Sequence, residues 1–316
     1  MDKERALRIV FMGTPEFAVA SLRALVEGGF NVVAVVTMPD KPKGRHQDSL
    51  TPSPVKLYAQ ERGIPVLQPP KLKAPEFLSA LRAYQADLQV VVAFRMLPEE
   101  VWAMPPLGTF NLHAALLPQY RGAAPINWAL INGETETGVT TFFLDKDIDT
   151  GLVIHQEATP ISETDNAESV HDRLMVMGAS LVVRTVRDIE EGRVQPLAQA
   201  SLEGGAELRT APKLHRETCE LRFESHTARS AFNFVRGLSP YPAAWTTLGG
   251  KQLKLFEARI DDHPLSGAKP GDVDTDGRTF LRFACNDGWL SILSLQLEGK
   301  RRMPVADFLR GYNWTR

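Results

Sequence analysis

LRIVFMGTPEFAVASLRALVEGGFNVVAVVTMPD, residues 7–40, is the stretch that decides the fold. It opens with a continuous apolar run ending at Gly13 and closes with a second one, NVVAVVTMPD. Between them TPEFAVASLRALVEGG reads as a helix, with Thr14 as N-cap, Pro15 at its first position, Glu16 in the first turn and Gly28-Gly29 as its stop. Strands that are apolar without alternation are buried on both faces, so strand, helix, strand in this order predicts a parallel unit with helices packed on it. The same alternation continues outward. SPVKLYAQERG is a helix capped by Ser53, PVLQP a short strand, APEFLSALRAYQ a helix, DLQVVVAF a third apolar strand, LPEEVWAM a helix and GTFNLHAALLP a strand. These elements predict an α/β fold with a doubly wound, mostly parallel sheet, in which ligands sit at the carboxyl ends of the strands.

Farther on, GVTTFFLDKDIDTGLVIHQEATPI reads as a hairpin and ESVHDRLMVMGASLVVRTVRDIEEG as a long amphipathic helix. QPLAQASLEGGAELRTAPKL has no periodicity and reads as a linker. The tail holds one helix, TARSAFNFVRGL, and then short strands between Gly, Asp and Pro turns, the pattern of a small β-barrel or sandwich. The expected division is a first domain over residues 1–192, a linker over 193–212 and a second domain over 213–316.

A chain of 316 residues with 43% hydrophobic content has material for two cores. It lacks the run of about 18 apolar residues that a membrane span needs, and its start passes from charges into a strand without a signal-peptide segment, so no membrane contact and a cytoplasmic address are expected. The two cysteines, Cys219 and Cys285, have no neighbour at metal-ligand spacing and read as small buried side chains. The net charge of -2 hides an asymmetry: from Leu208 onward basic residues outnumber acidic ones 17 to 12, which leaves the rest of the chain acidic. Such a tail suits an anionic partner, or is a solvated surface with a chance excess.

Gly13 stands where a dinucleotide-binding turn would need three glycines, so no pyrophosphate site is read there. Asn111, His113 and Asp149 are the more informative set: a carboxamide, an imidazole and a carboxylate can together stabilise an oxyanion and manage a proton, as acyl-type transfer requires. A histidine after a buried strand is also a common structural group, and the residue types alone leave both readings open. Asp145, Asp147 and Asp149 resemble a cation loop but lack the later glutamate of an EF-hand, and no metal is expected. No Ser, Cys or Lys occupies a nucleophile motif, which favours direct attack by the substrate's own nucleophile.

FNLHAALLPQYRGAAPINWALINGE, residues 110–134, followed by GVTTFFLDKDIDTG, closely resembles the core of the formyltransferases that use 10-formyltetrahydrofolate. RIVFMGTPEFAVASL and MPDKPKGR with TPSPVK resemble the branch that formylates methionine charged on initiator tRNA, and the likeness covers nearly the whole chain. The resemblance implies that Asn111, His113 and Asp149, the last in the D-x-x-x-D-x-G element that begins at Asp145, are catalytic. It implies a folate wall from Ala115, Leu116, Leu117 and Pro118, with Asp145 beside it. Ala115 stands where the family usually has Ser. Phe94, Arg95, Met96 and Leu97 fall where a Tyr-Gly pair commonly stands, and would line the pterin pocket. The loop after the second strand, with Lys41, Lys43 and Arg45, would meet the tRNA acceptor end, although His46-Gln47-Asp48 replaces a more basic run. The tail segments FNFVRGLSPYPAAWTTLGGKQLKLFEA, KPGDV and LSLQLEGKRRM match the family's OB-like barrel, with Arg236, Lys251, Lys254, Lys300, Arg301 and Arg302 as implied tRNA contacts; Trp245 reads as core. The formyl donor is the one co-substrate implied, and a monomer is expected. Two rivals stay in view, an amino-sugar nucleotide formyltransferase and a formyltetrahydrofolate hydrolase; the sugar enzymes generally have Arg where RGAAP has Ala123.

Overall fold

The computed structural model describes residues 6–43 and 49–312. Its elements, in order, are β1 (Arg8–Gly13), α1 (Glu16–Glu27), β2 (Asn31–Val36), β3 (Lys41–Lys43), β4 (Ser49–Thr51), α2 (Pro54–Glu61), β5 (Val66–Leu67), α3 (Pro75–Ala83), β6 (Leu88–Val92), α4 (Glu99–Trp102), β7 (Thr109–His113), β8 (Arg121–Gly122), α5 (Pro125–Ile131), β9 (Glu136–Phe143), β10 (Val153–Pro160) and α6 (Ala167–Glu190). They continue as β11 (Thr210–Ala211), α7 (Ala228–Leu238), β12 (Ala244–Leu248), β13 (Lys251–Asp261), β14 (Val273–Thr275), β15 (Leu281–Ala284), β16 (Trp289–Leu297), β17 (Met303–Pro304) and α8 (Val305–Gly311).

A seven-stranded sheet runs in the order β10-β9-β7-β6-β1-β2-β5. β5, β2, β1, β6 and β7 are parallel, and β9 runs antiparallel to β7. Ile9, Val10, Phe11 and Met12 of β1 are fully buried, the two-sided burial that an unbroken apolar strand predicts. The chain leaves β1 toward β2 and β5, then returns to β6 on β1's other side. The strand order therefore reverses between β1 and β6, and the crevice at the carboxyl ends of such a switch is where ligands bind. Gly13 closes β1 there. A Cβ at this position would lie 2.6 Å from the Ala18 Cβ and 2.8 Å from the Val92 carbonyl oxygen, so its glycine serves close packing and not a phosphate turn.

Two helix starts contrast. Ser53 caps α2 as expected, its Oγ accepting from Lys56 N at 3.1 Å. Thr14 does not cap α1. Pro15 takes the N-cap position, and the Thr14 hydroxyl instead meets Thr37 Oγ1 and Met38 N, both at 3.4 Å. A distant partner outcompeted the local one, which sequence spacing alone does not reveal.

The chain groups into two compact units that are not contiguous in sequence. The first comprises residues up to Gly122, Gly138–Thr159 and His171–Arg209; the second comprises Ala123–Thr137, Pro160–Val170 and everything from Thr210. The second unit carries an antiparallel, OB-like half barrel, β12-β13-β16-β15-β14 with β17 on β16, over a core that includes Leu253, Phe283 and Leu295. Phe223 stacks on Phe283 at 4.7 Å, and Trp245 packs against this core with its Nε1 donating to Arg216 O at 2.9 Å. α7 begins with a capping box of Thr227 and Ser230. β14, β17 and α8 are too short or too irregular in pattern to have been read from the sequence.

Both cysteines are buried and free. Burial pushes the Cys219 thiol up, and pushes that of Cys285 up to about 12, so neither carries appreciable thiolate at neutral pH. Iodoacetamide at pH 8 is therefore expected to leave the native chain unmodified and to label both thiols after unfolding. Rapid labelling of the native chain would contradict this placement.

Candidate active site

The end of β7 builds the site. Successive residues of a strand point to opposite faces, so Asn111 and His113 share one face and Leu112 takes the other. Leu112 meets α6 at Gly178, where a Cβ would lie 2.6 Å from a Leu112 methyl, and the helix is held close to that face. On the polar face, Asn111 pairs with Phe142 of β9 and His113 with Thr140. His113 is 6% exposed, with the Phe142 ring edge-on at 6.5 Å.

The ring nitrogens of His113 have distinct surroundings. Nε2 lies 2.8 Å from the Tyr120 carbonyl oxygen. A carbonyl only accepts, so Nε2 carries a proton and the second nitrogen, Nδ1, is the basic one in the neutral ring. Nδ1 faces Asp149 Oδ2 at 3.8 Å, too far for a hydrogen bond, with no closer acidic group against the ring among the described residues. The same carboxylate oxygen accepts from Gly122 N at 2.9 Å, which fixes its direction. Asn111 is half-buried, and its carboxamide has no hydrogen-bond partner among the described residues. Of the three, it is the donor left free for a substrate oxygen.

Asp149 adopts a left-handed backbone, φ 56°, two residues before Gly151. A Cβ at Gly151 would fall 1.6 Å from the Phe143 carbonyl oxygen, so the D-x-x-x-D-x-G element needs its final glycine for backbone approach. Asp145 is exposed and its Oδ1 accepts from Asp147 N and Thr150 Oγ1, the arrangement of an acidic turn.

Sequence reasoning missed the groups that hold this loop. Gln199 lies in the segment read as a linker, yet it is 3% exposed and donates from Nε2 to the carbonyls of Asp149 and Gly151, at 2.8 and 2.9 Å. Its Oε1 accepts from Arg121 at 3.0 and 2.7 Å. Arg209 O accepts from Tyr120 N at 2.7 Å, behind the carbonyl that meets His113. The stretch from residue 193 to 209 is thus a built part of the first unit, bridged to β10 by Val153 and Leu197. No periodicity marks it, because its order comes from side-chain hydrogen bonds to distant carbonyls.

The Ala115 to Pro118 hook is pinned to the sheet. Thr140 Oγ1 donates to Ala115 O at 2.6 Å and accepts from Leu117 N at 3.2 Å, and Gln156 Nε2 donates to Leu117 O at 2.7 Å. Ala115, Leu117 and Pro118 are buried, and Leu116 is partly open. The adjacent threonines in the apolar GVTTFF strand were the one readable signal of this staple. In the Phe94 to Leu97 segment the four side chains part company. Leu97 is buried in the core beside Val101, Phe94 packs on the same cluster, and Met96 is 70% exposed. Arg95 turns back, its guanidinium donating to the carbonyls of Pro69 and Pro70 and lying 5.6 Å from the Phe94 ring.

Among the cations assigned to tRNA, Lys41 is exposed on β3, while Arg45 and the side chain of Lys43 lie outside the described residues. Lys251, Lys300 and Arg301 are exposed, and Glu298 N donates to Gln252 O at 2.8 Å, which places Lys251 and Lys300 at one end of the half barrel. Lys254 is half-buried on β13, and Arg302 is paired with Glu257 at 2.6 Å over the Phe256 ring. Arg236 must be corrected. It is 9% exposed, its Nη1 donates to Ser162 O at 2.7 Å and its Nε to Asn233 Oδ1 at 2.9 Å, so it is an internal strut and not part of a basic surface. Its neighbours Phe234, Val235, Gly237 and Leu238 on α7 are buried as well.

Comparison with known proteins follows the same outline. The family described as formyl transferase matches residues 7–186, and its C-terminal domain matches residues 213–313. The chain is 57% identical over 315 residues to a methionyl-tRNA formyltransferase of Parabacteroides distasonis, covering 98% of this chain and 97% of that protein. It is 47% identical to that of Porphyromonas gingivalis over 98% of this chain and 97% of the relative. Among solved structures, a sugar 3N-formyl transferase, WlaRD, with dTDP and 5-N-formyl-THF superposes with a TM-score of 0.66 at 18% identity, over 94% of this chain and all (100%) of that one. HypX from Aquifex aeolicus with tetrahydrofolic acid gives 0.64 at 20% identity, over 96% of this chain and 47% of that one. At such identities these two structures speak for the fold.

Proposed function

The chain belongs to the formyl transferase family, and from that premise we propose that it moves the formyl group of 10-formyltetrahydrofolate onto the α-amine of methionyl initiator tRNA. The observation that carries the chemistry is the meeting of Asn111, His113 and Asp149 at the end of β7, with one free amide donor, one basic ring nitrogen and one fixed carboxylate. The acceptor rests on likeness that runs the full length of relatives bearing that name.

The amine, as a free base, attacks the formyl carbon, and the bond to it forms as the carbonyl becomes an oxyanion. The Asn111 carboxamide donates to that oxygen. His113 takes the amine proton at Nδ1 while Asp149 stabilises the resulting imidazolium, and the same proton passes to the folate nitrogen as its bond to carbon breaks. Nε2 stays on the Tyr120 carbonyl throughout, which keeps the ring oriented. This assigns the oxyanion to Asn111 and the proton to His113, a sharper division than shared donation by both.

Leu116 forms one wall for the folate, with Phe94, Arg95, Met96 and Asp145 around it; Leu97, Ala115, Leu117 and Pro118 contribute through their backbones because their side chains are buried. Lys41 on the hairpin, and Lys251, Lys254, Lys300 and Arg301 on the half barrel, meet tRNA phosphates and make affinity fall with salt. No helix of the described residues is long and apolar enough to cross a membrane, and we place the enzyme in the cytoplasm as a monomer.

One assay tests the reading. Purified protein with 10-formyltetrahydrofolate is given methionyl initiator tRNA, an amino-sugar nucleotide, or no acceptor. Formyl transfer to the tRNA alone is expected. Transfer only to the sugar, or formate release without acceptor, would replace this function with one of its rivals.

A further inference from the structure

β3 and β4 form a hairpin that contributes nothing to the core: Lys41, Pro42, Leu50 and Thr51 are all exposed, Leu50 by 63%. Its two ends are nonetheless tied down by side-chain hydrogen bonds. On the way in, Asp40 is joined by Lys56 Nζ at 2.5 Å on one carboxylate oxygen and by Gln68 Nε2 at 2.7 Å on the other. Gln68 Nε2 also donates to Met38 O at 2.9 Å. On the way out, Ser53 Oγ meets Thr37 Oγ1 at 2.7 Å, and Thr37 in turn reaches Thr14, the residue after Gly13 at the end of β1. The Lys56 and Asp40 side chains are only 17% and 20% exposed, and these partners hold the Asp40 carboxyl below its ordinary value.

Two charges mostly withdrawn from water bring little net stability, because desolvation offsets most of their attraction. A hairpin without a core does not need them in order to fold. A blade that must point in one direction does. The root ties the strand entering the hairpin to the helix leaving it, and through Thr14 ties both to the carboxyl end of β1, where the ligand crevice opens. We infer that Asp40, with Lys56 and Gln68, is a positioning residue for the acceptor: the root sets the direction of the β3–β4 hairpin so that Lys41, exposed on β3, meets the acceptor end of the RNA. This rests on the tRNA reading given above. Asp40 acts through these two partners, one on each carboxylate oxygen, and is assigned no substrate contact.

The test is steady-state formyl transfer by the full chain, with the KM for methionyl initiator tRNA and the KM for 10-formyltetrahydrofolate measured separately, beside a thermal melt. Asp40→Asn is expected to raise the tRNA KM by about tenfold, as a displaced contact would, and to leave the folate KM within about twofold. The paired exchange of Asp40→Lys with Lys56→Asp restores the ion pair with reversed charges while Gln68 keeps its donation to Met38 O, and is expected to bring the tRNA KM back to within about threefold of the wild type. Equal rises in both KM values for Asp40→Asn, or no rise, overturn the inference. So does a folded exchange variant whose tRNA KM stays high, since that would make the sign of the charge matter and not the link. If Asp40→Asn melts below the assay temperature, the exchange variant alone decides by the same criterion. The wild-type rows keep the two readings apart: a wild type that ignores tRNA ends the functional reading and this inference with it, whereas an active wild type with an unresponsive Asp40 ends the inference alone.

Discussion

Alanine at His113 is expected to lower kcat/KM for formyl transfer by about three orders of magnitude, or roughly 4 kcal/mol of transition-state stabilisation, while leaving the chain folded. The size follows from what the ring does. In the proposed mechanism it is the group that accepts the amine proton and returns it to the leaving nitrogen, and no other basic side chain described here replaces it. The structural cost is smaller. The ring makes one hydrogen bond, to Tyr120 O, and one edge contact, with Phe142, so its loss is worth about 1–3 kcal/mol of stability. The measurement pairs initial rates with a thermal melt. A folded variant within about tenfold of the wild-type rate would remove His113 from the chemistry.

The second large effect belongs to Asp149→Asn, for which a loss of about 100- to 1000-fold in kcat is expected with the loop intact. Asparagine keeps an oxygen to accept from Gly122 N, so the turn that this contact fixes is preserved. What disappears is the negative charge facing His113 Nδ1 at 3.8 Å. Without it the imidazolium that forms during proton transfer loses its counter-charge. Addition of exogenous imidazole would not rescue this variant, because the missing element is a charge and not a base. A kcat within about fivefold of the wild type would show that Asp149 serves the loop alone.

Much of the framework was legible because it rests on local rules. Unbroken apolar strands such as residues 87–94 report burial on both faces, and Ser53 before Pro54 reports a helix start, without knowledge of anything distant. The candidate site was legible only in part. Spacing placed Asn111 and His113 on one face of a strand but could not say that this face was functional; the family resemblance supplied that, and the structure then brought Asp149 to them. What stayed hidden has one cause. Thr14, Gln199 and Arg236 each take partners from 20 to more than 70 residues away, through side-chain hydrogen bonds that leave no periodic trace. Arg236 shows this most plainly: the family resemblance implied a tRNA contact, and only its burial reveals a strut.

The Gln199 buttress and the Arg209 carbonyl bear on how this chain could have been assembled and how far its halves can be exchanged. The family's two matched segments end and begin at residues 186 and 213, which suggests that anything between is spacer. Yet the carbonyls of Asp149 and Gly151 accept from Gln199, and the Tyr120 N–H donates to the Arg209 carbonyl, both partners lying inside that interval. A recombination junction between relatives is therefore expected to be tolerated after Arg209 and not before Gln199, where it would separate the Asp149 loop from the residues that shape it. The interval travels with the first unit as heritable cargo, and a tail borrowed from another lineage would have to be spliced on behind it.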